Sequence, residues 1–140
     1  MQLANQKKVI VVGCGRLGAG IAEMLSNDGY QVIVIDADRE SFVRLPEDYS
    51  GFEITGDGSD VDILKSAGIE EAETLIAVTG DDNVNSLVGQ IAKKLFSTES
   101  VCIRLYDESK TELVEGLGIS TVCTQLLALS EVNRLLKAKE

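Results

Sequence analysis

Gly13-Cys14-Gly15-Arg16-Leu17-Gly18 is a G-x-G-x-x-G sequence that follows an apolar, β-branched run and opens a helix-period segment. In that setting the first glycine permits a tight turn, the second lets backbone approach a pyrophosphate, and the third lets helix and strand pack closely. The helix N-terminus adds free N–H groups and a partial positive charge, which suit phosphate oxygens. Arg16, a cation in the first turn, opposes that dipole by a few tenths of a kcal/mol, so a bound phosphate or a nearby carboxylate must offset it. Asp36 closes the run Val32-Ile33-Val34-Ile35-Asp36, 18 residues past Gly18. That is about where a carboxylate takes both hydroxyls of an adenosine ribose. The same carboxylate repels a 2′-phosphate, so a dinucleotide ligand would be NAD rather than NADP unless Arg39 compensates. The other reading of Asp36 is a cap on the helix that follows, a role Asp38 can fill instead.

Three further loops follow apolar runs: Gly56-Asp57-Gly58-Ser59-Asp60, Thr79-Gly80-Asp81-Asp82-Asn83 and Arg104-Leu105-Tyr106-Asp107. All belong on the carboxyl edge of a parallel sheet, where open α/β sheets bind ligands. Asp60 and Asp82 are equally placed to cap helices, and Ser59 to make a local turn. Cys14 sits near a helix N-terminus but has no resolving cysteine beside it, which argues against a redox switch. The acidic loops match no EF-hand spacing, and no metal site is expected. The 140 residues contain no histidine, which removes the commonest general base and metal ligand, and no catalytic residue is expected. A net charge of −10 disfavours nucleic acid as a partner. Cys14, Cys102 and Cys123 fit neither a disulfide framework nor a zinc site, so a reducing, cytoplasmic setting is expected. Residues Met1 to Lys8 are polar, and no uncharged stretch has the length of a membrane span.

The elements that must hold these residues alternate. Strands are read at Lys7 to Val12, Gln31 to Ile35, Gly51 to Thr55, Thr74 to Val78, Ser100 to Leu105 and Ser120 to Cys123. In the first, Val9, Ile10, Val11 and Val12 are continuously apolar, as in a strand covered on both faces. Leu17, Ile21, Met24 and Leu25 form one helical stripe, and Val84, Leu87, Val88, Ile91, Ala92 and Leu95 a cleaner one. Weaker helices are read at Arg39 to Leu45, stopped by Pro46, at Asp60 to Ala67, and at Ser109 to Gly116. The expected fold is an α/β, Rossmann-like, doubly wound parallel sheet of six strands in the order 3-2-1-4-5-6. The last helix, Thr124 to Lys139, spreads Leu126, Leu127, Ala128, Leu129, Val132, Leu135 and Leu136 over most of its circumference. One sheet cannot cover all of that, which points to contact with a second subunit.

Taken together, the glycine loop, Val34-Ile35-Asp36, Gly56-Asp57, Val78-Thr79-Gly80-Asp81-Asp82 and Arg104 resemble the RCK domains, also called TrkA-N or KTN, of the Trk and Ktr potassium uptake systems. The resemblance runs from about Lys7 to Leu136. It implies a regulatory subunit that is not an enzyme, binds NAD(H) or ATP/ADP, with AMP a further candidate, and gates a membrane potassium transporter or channel. The loop arginine would reach the phosphates, the acid ending strand two would hold the ribose, and residues after strands three, four and five would line the adenine and phosphates. The implied cofactor-binding set is Gly13, Gly15, Arg16, Leu17, Gly18, Asp36, Ala37, Asp38, Arg39, Asp57, Gly58, Thr79, Gly80, Asp81 and Arg104. Family members dimerise through a helix after strand six that crosses to the partner and assemble into rings, up to an octamer, at the inner face of the cell membrane. Residues 1–140 then form one N-terminal RCK domain, with 124–139 the crossover helix and the family's smaller C-terminal lobe absent. Two departures stand out: that lobe, and Gly58-Ser59 where the family commonly has Ala then Thr after the acid. The alternative is the cofactor domain of an NAD-dependent oxidoreductase, against which the short chain and the missing histidine speak.

Overall fold

The computed structural model describes residues 6–139, so residues 1–5 of the polar N-terminal stretch lie outside it. Strand β1 (Lys8–Val12) leads through the glycine loop into α1 (Arg16–Asn27), which returns to β2 (Gln31–Asp36). A 3-10 turn (Arg39–Arg44) connects to β3 (Phe52–Thr55), and α2 (Val61–Ser66) crosses to β4 (Thr74–Ala77). Then come α3 (Asp82–Phe96), β5 (Ser100–Arg104), a second 3-10 turn (Glu108–Val114), β6 (Ile119–Val122) and α4 (Thr124–Lys137). All six strands are parallel, in the order β3-β2-β1-β4-β5-β6. The Rossmann-like arrangement expected from the alternation is therefore the observed one.

The continuous apolar run of β1 is explained by its central place: Val9 and Val11 face one layer, Ile10 and Val12 the other, each at most 2% exposed. The first layer is closed by α1 through Ala19 and Ala22, by Phe42 of the first 3-10 turn and by Leu45, the residue that caps the turn's end. The second takes Leu64 of α2, Val88 and Ala92 of α3, and Val114 of the second 3-10 turn. Register places Val12 beside Ile35 and beside Ala77, so the ends of β1, β2 and β4 open together.

Two segments expected as α-helices, Arg39 to Leu45 and Ser109 to Gly116, are 3-10 turns instead. Each is a short piece squeezed between an aspartate cap and the next strand, a length at which α-helix nucleation costs more than the few bonds return. The last helix ends at Lys137 and has no buried residue. No helix among the described residues is long and apolar enough to cross a membrane.

Candidate functional site

At the carboxyl edge of the sheet the chain leaves a cleft of about 720 Å³. Its walls come from all five strand ends that the motifs follow: Gly13 and Gly15, Asp36 and Ala37, Gly56 to Gly58, Val78 to Asp81, and Arg104. Gly13 turns the chain off β1 at φ +107°, and a β-carbon there would meet the Val78 carbonyl at 2.9 Å. Gly18 has no room either, because its β-carbon would overlap the Gly13 carbonyl. These two glycines are explained by the protein's own packing. Gly15 and Gly80 are not. A β-carbon at either would meet no described atom within 4 Å, and both line the cleft.

Asp36 fixes the loop from the side. Its Oδ2 accepts from the Cys14 N–H at 2.7 Å and its Oδ1 from the Asp38 N–H at 2.8 Å. A carboxylate has about four acceptor sites, so capacity for two hydroxyl donors remains. The capping role is taken by Asp38, which accepts from the Glu40 N–H at 3.0 Å.

The N-termini of α2, α3 and the second 3-10 turn are capped by aspartates: Asp60 on α2, Asp81 on α3 through the Asn83 and Val84 N–H groups, and Asp107 on the turn, while α4, which follows the edge strand β6 away from the cleft, starts at Cys123 with no side-chain cap. The N-terminus of α1, capped by Gly15, receives no side-chain acceptor among the described residues and has no acid in its first turn. Arg16, exposed beside it, takes part in none of the ion pairs among the described residues, which are Lys7–Glu73, Lys110–Asp82 and Arg134–Glu131. An uncapped helix N-terminus and the exposed Arg16 guanidinium thus stand together beside the glycine loop, an arrangement suited to an anion.

The structure brings together Gly13, Gly15, Asp36, Ala37, Asp57, Gly58, Thr79, Gly80, Asp81 and Arg104 as cleft lining. Arg16, Leu17, Gly18, Asp38 and Arg39 do not line it. Arg16 stands on the exposed first turn, Leu17 packs against the α1-side core, and Asp38 and Arg39 are exposed. Several of the expected contacts are also occupied internally. Asp57 accepts from the Ser59 N–H at 2.9 Å and hydroxyl at 2.7 Å, which holds its carboxyl below the usual range. Arg104 donates through Nη2 to the carbonyls of Val78 at 3.0 Å and Thr79 at 2.8 Å, and lies over the Tyr106 ring at 5.1 Å. Its Nε is buried with no partner among the described residues.

Sequence reasoning did not single out Ser41 and Arg44, which line the cleft from the first 3-10 turn. Arg39 and Arg44 are five positions apart, which places them about 120–140° apart around either a 3-10 turn or an α-helix. Only one can face the cleft, and the sequence holds no signal for which. Nor did it single out Asn85, whose fully buried amide ties the two loops on the α3 side together. Cys14 is 0% exposed, and burial first, then the Asp36 charge, push its thiol up to about 11.

Comparisons with known proteins agree with this geometry. The family model of the TrkA-N domain matches residues 9–125. A Trk system potassium uptake protein TrkA of Streptomyces coelicolor is 42% identical over 116 residues, covering 83% of this chain and 52% of that one. The chain spans about half the length of such curated relatives. The solved TrkA-N domain of the inner membrane protein ybaL of Escherichia coli superposes with TM-score 0.83 at 18% identity, covering 94% of this chain and 97% of that one. GsuK bound to ADP gives TM-score 0.80 at 24% identity over 96% of this chain and 35% of that one. At these identities the solved structures speak for the fold. With the family match running from β1 into the first turn of α4, across every loop that forms the cleft, the chain belongs to the TrkA-N domain family.

Proposed function

We propose that the domain binds an adenine nucleotide in this cleft and acts as a regulatory subunit, with no catalysis of its own, of a membrane potassium transporter or channel. The observation that carries the reading is the α1 N-terminus: unlike those of α2 and α3, the other helices that start beside the cleft, it lacks a capping acid, and it opens beside two glycines whose missing side chains no internal packing requires. Phosphates at the α1 N–H groups and Arg16, ribose hydroxyls at Asp36, and the base along Ala37, Gly80 and Val84 would use the cleft from end to end. The S. coelicolor relative supports potassium uptake as the setting, and GsuK bound to ADP supports an adenine nucleotide as the ligand. In this reading the domain works at the cytoplasmic face of the membrane, paired through α4 and assembled into a larger ring. The nucleotide biases the geometry of the pair only through its differential affinity for two arrangements.

Calorimetric titration with NADH, NAD, ATP, ADP and AMP tests this. One or more should bind, and Arg16→Gln should weaken the phosphate-bearing ligands about 5- to 30-fold, the loss of one exposed charge-assisted contact. Its thermal midpoint should stay unchanged, because Arg16 is exposed. Absence of binding by all five, or an unaltered affinity in Arg16→Gln, would remove the phosphate site from α1.

A further inference from the structure

We propose that Arg44 determines specificity at the adenosine end of the cleft, so that the site accepts adenine dinucleotides carrying a ribose 2′-phosphate as well as those without one. This rests on the nucleotide reading of the cleft given above. Asp36 alone would exclude a 2′-phosphate by charge repulsion, and a compensating cation has to stand beside it.

Arg39 is not that cation, since the 3-10 turn carries it away from the cleft. Arg44, at the end of the same turn, lines the cleft. Its guanidinium and the Asp36 carboxylate bracket a single residue of the glycine loop. Asp36 Oδ2 accepts from the Cys14 N–H at 2.7 Å, while Arg44 Nη1 lies 3.4 Å from the Cys14 carbonyl oxygen. Opposite charges thus stand on either side of one residue, yet the two side chains form no ion pair among the described residues. The long Cys14 contact occupies one of five guanidinium donors and leaves the planar fork for a ligand.

The turn that presents Arg44 is anchored. Phe42 and Leu45, on either side of it, are each 9% exposed and packed in the α1-side core, and Asp38 caps its start. Arg44 therefore projects from a fixed backbone. Asp36 meanwhile has each of its oxygens engaged by a backbone N–H donor. A phosphate on the ribose 2′ oxygen would sit next to that carboxylate and meet the fork, the geometry in which arginine gives paired, charge-assisted bonds.

The test is titration of the whole chain and of Arg44→Gln with NADH and NADPH at one ionic strength. In the unaltered protein the two dissociation constants should lie within about tenfold, and Arg44→Gln should weaken NADPH about tenfold or more while moving NADH by less than about threefold. The thermal midpoint of the variant serves as the folding control, since Arg44 is exposed. If NADH binds and NADPH is excluded, or if Arg44→Gln moves both ligands alike, the inference falls and the nucleotide site stands. If neither dinucleotide nor ADP binds, the nucleotide reading falls and takes the inference with it.

Discussion

Cys14 stands in the middle of the glycine loop, a position that on paper offers an acidified thiol at a helix N-terminus. Its side chain instead joins Val11, Val34 and Val78 in the core. Burial outweighs the dipole, and the thiol rises from its ordinary 9.0 to about 11. At pH 7.5 well under about one molecule in a thousand carries the thiolate, so a thiol reagent should modify Cys14 of the folded protein far more slowly than of the unfolded chain. Tyr49 moves the same way, half-buried and with its hydroxyl shared between the carbonyls of Val32 and Phe52. The consequence for stability has a definite sign. Both groups ionise in the unfolded chain before they do in the folded one, so above their ordinary values the unfolded state holds fewer protons. Stability should therefore be unaffected by these groups below pH 9 and fall as the pH rises toward about 11. Denaturant titration across that window, with Cys14→Ala showing a shallower decline than the unaltered protein, checks the assignment.

Helix α3 shows how one element organises a loop cluster through side chains that a helical pattern would assign to solvent. Asn85 lies in its first turn yet is 0% exposed. Its Oδ1 accepts from the Thr79 N–H at 2.9 Å and from the Thr79 hydroxyl at 2.7 Å, and its Nδ2 donates to the carbonyls of Thr79 at 3.0 Å and Arg104 at 2.9 Å. Asp82, 8% exposed, accepts from the N–H groups of Tyr106 at 2.8 Å and Asp107 at 2.9 Å. The ends of β4 and β5 are thus held from α3, and Arg104 is aimed by the same clamp. Replacing Asn85 by Ala leaves several backbone groups unpaired in a dry setting, at a cost of about 2–3 kcal/mol. A drop of roughly 5–10 °C in the thermal midpoint is expected, together with weaker nucleotide binding. Asn83→Ala, at an exposed position of the same turn, should change neither, and equal effects from both substitutions would dismiss the clamp.

The molecule as a whole is unevenly finished. Its sheet and the helices over it form two well-filled layers, but α4 leaves them, with Leu127 61% exposed, Leu135 50% and Leu136 63%. Beside it, a groove of about 480 Å³ is bordered by Thr121 to Cys123, Leu126, Leu127 and Ser130. Apolar surface of this extent on a terminal helix is costly in water. The expected outcome is self-association through α4: sedimentation should show a dimer or larger species, and Leu127→Asp with Leu135→Asp should yield a folded monomer. Because no residue of α4 is buried, the double substitution should leave the sheet intact, which near-native circular dichroism would report. A monomer before substitution would overturn the role given to this helix.

What the sequence determined by itself was whatever depends on near neighbours along the chain. Strand after strand is read from continuous β-branched runs, and the glycine loop, Asp36 and the later loop motifs all fall at strand ends, because in a parallel sheet every crossover returns the chain to one edge. Even the excess of apolar residues on the last helix was visible, since it follows from composition on a 3.6-residue period. Tertiary structure decided the rest. The choice between Arg39 and Arg44 depends on how a short turn is rotated by the burial of Phe42 and Leu45, which are set by contacts with the α1-side core. Likewise the burial of Cys14 and Asn85 depends on what the fold lays over them, and local sequence carries no record of that. Chemistry that rests on spacing was legible before folding, whereas chemistry that rests on which face is dry had to wait for the packed molecule.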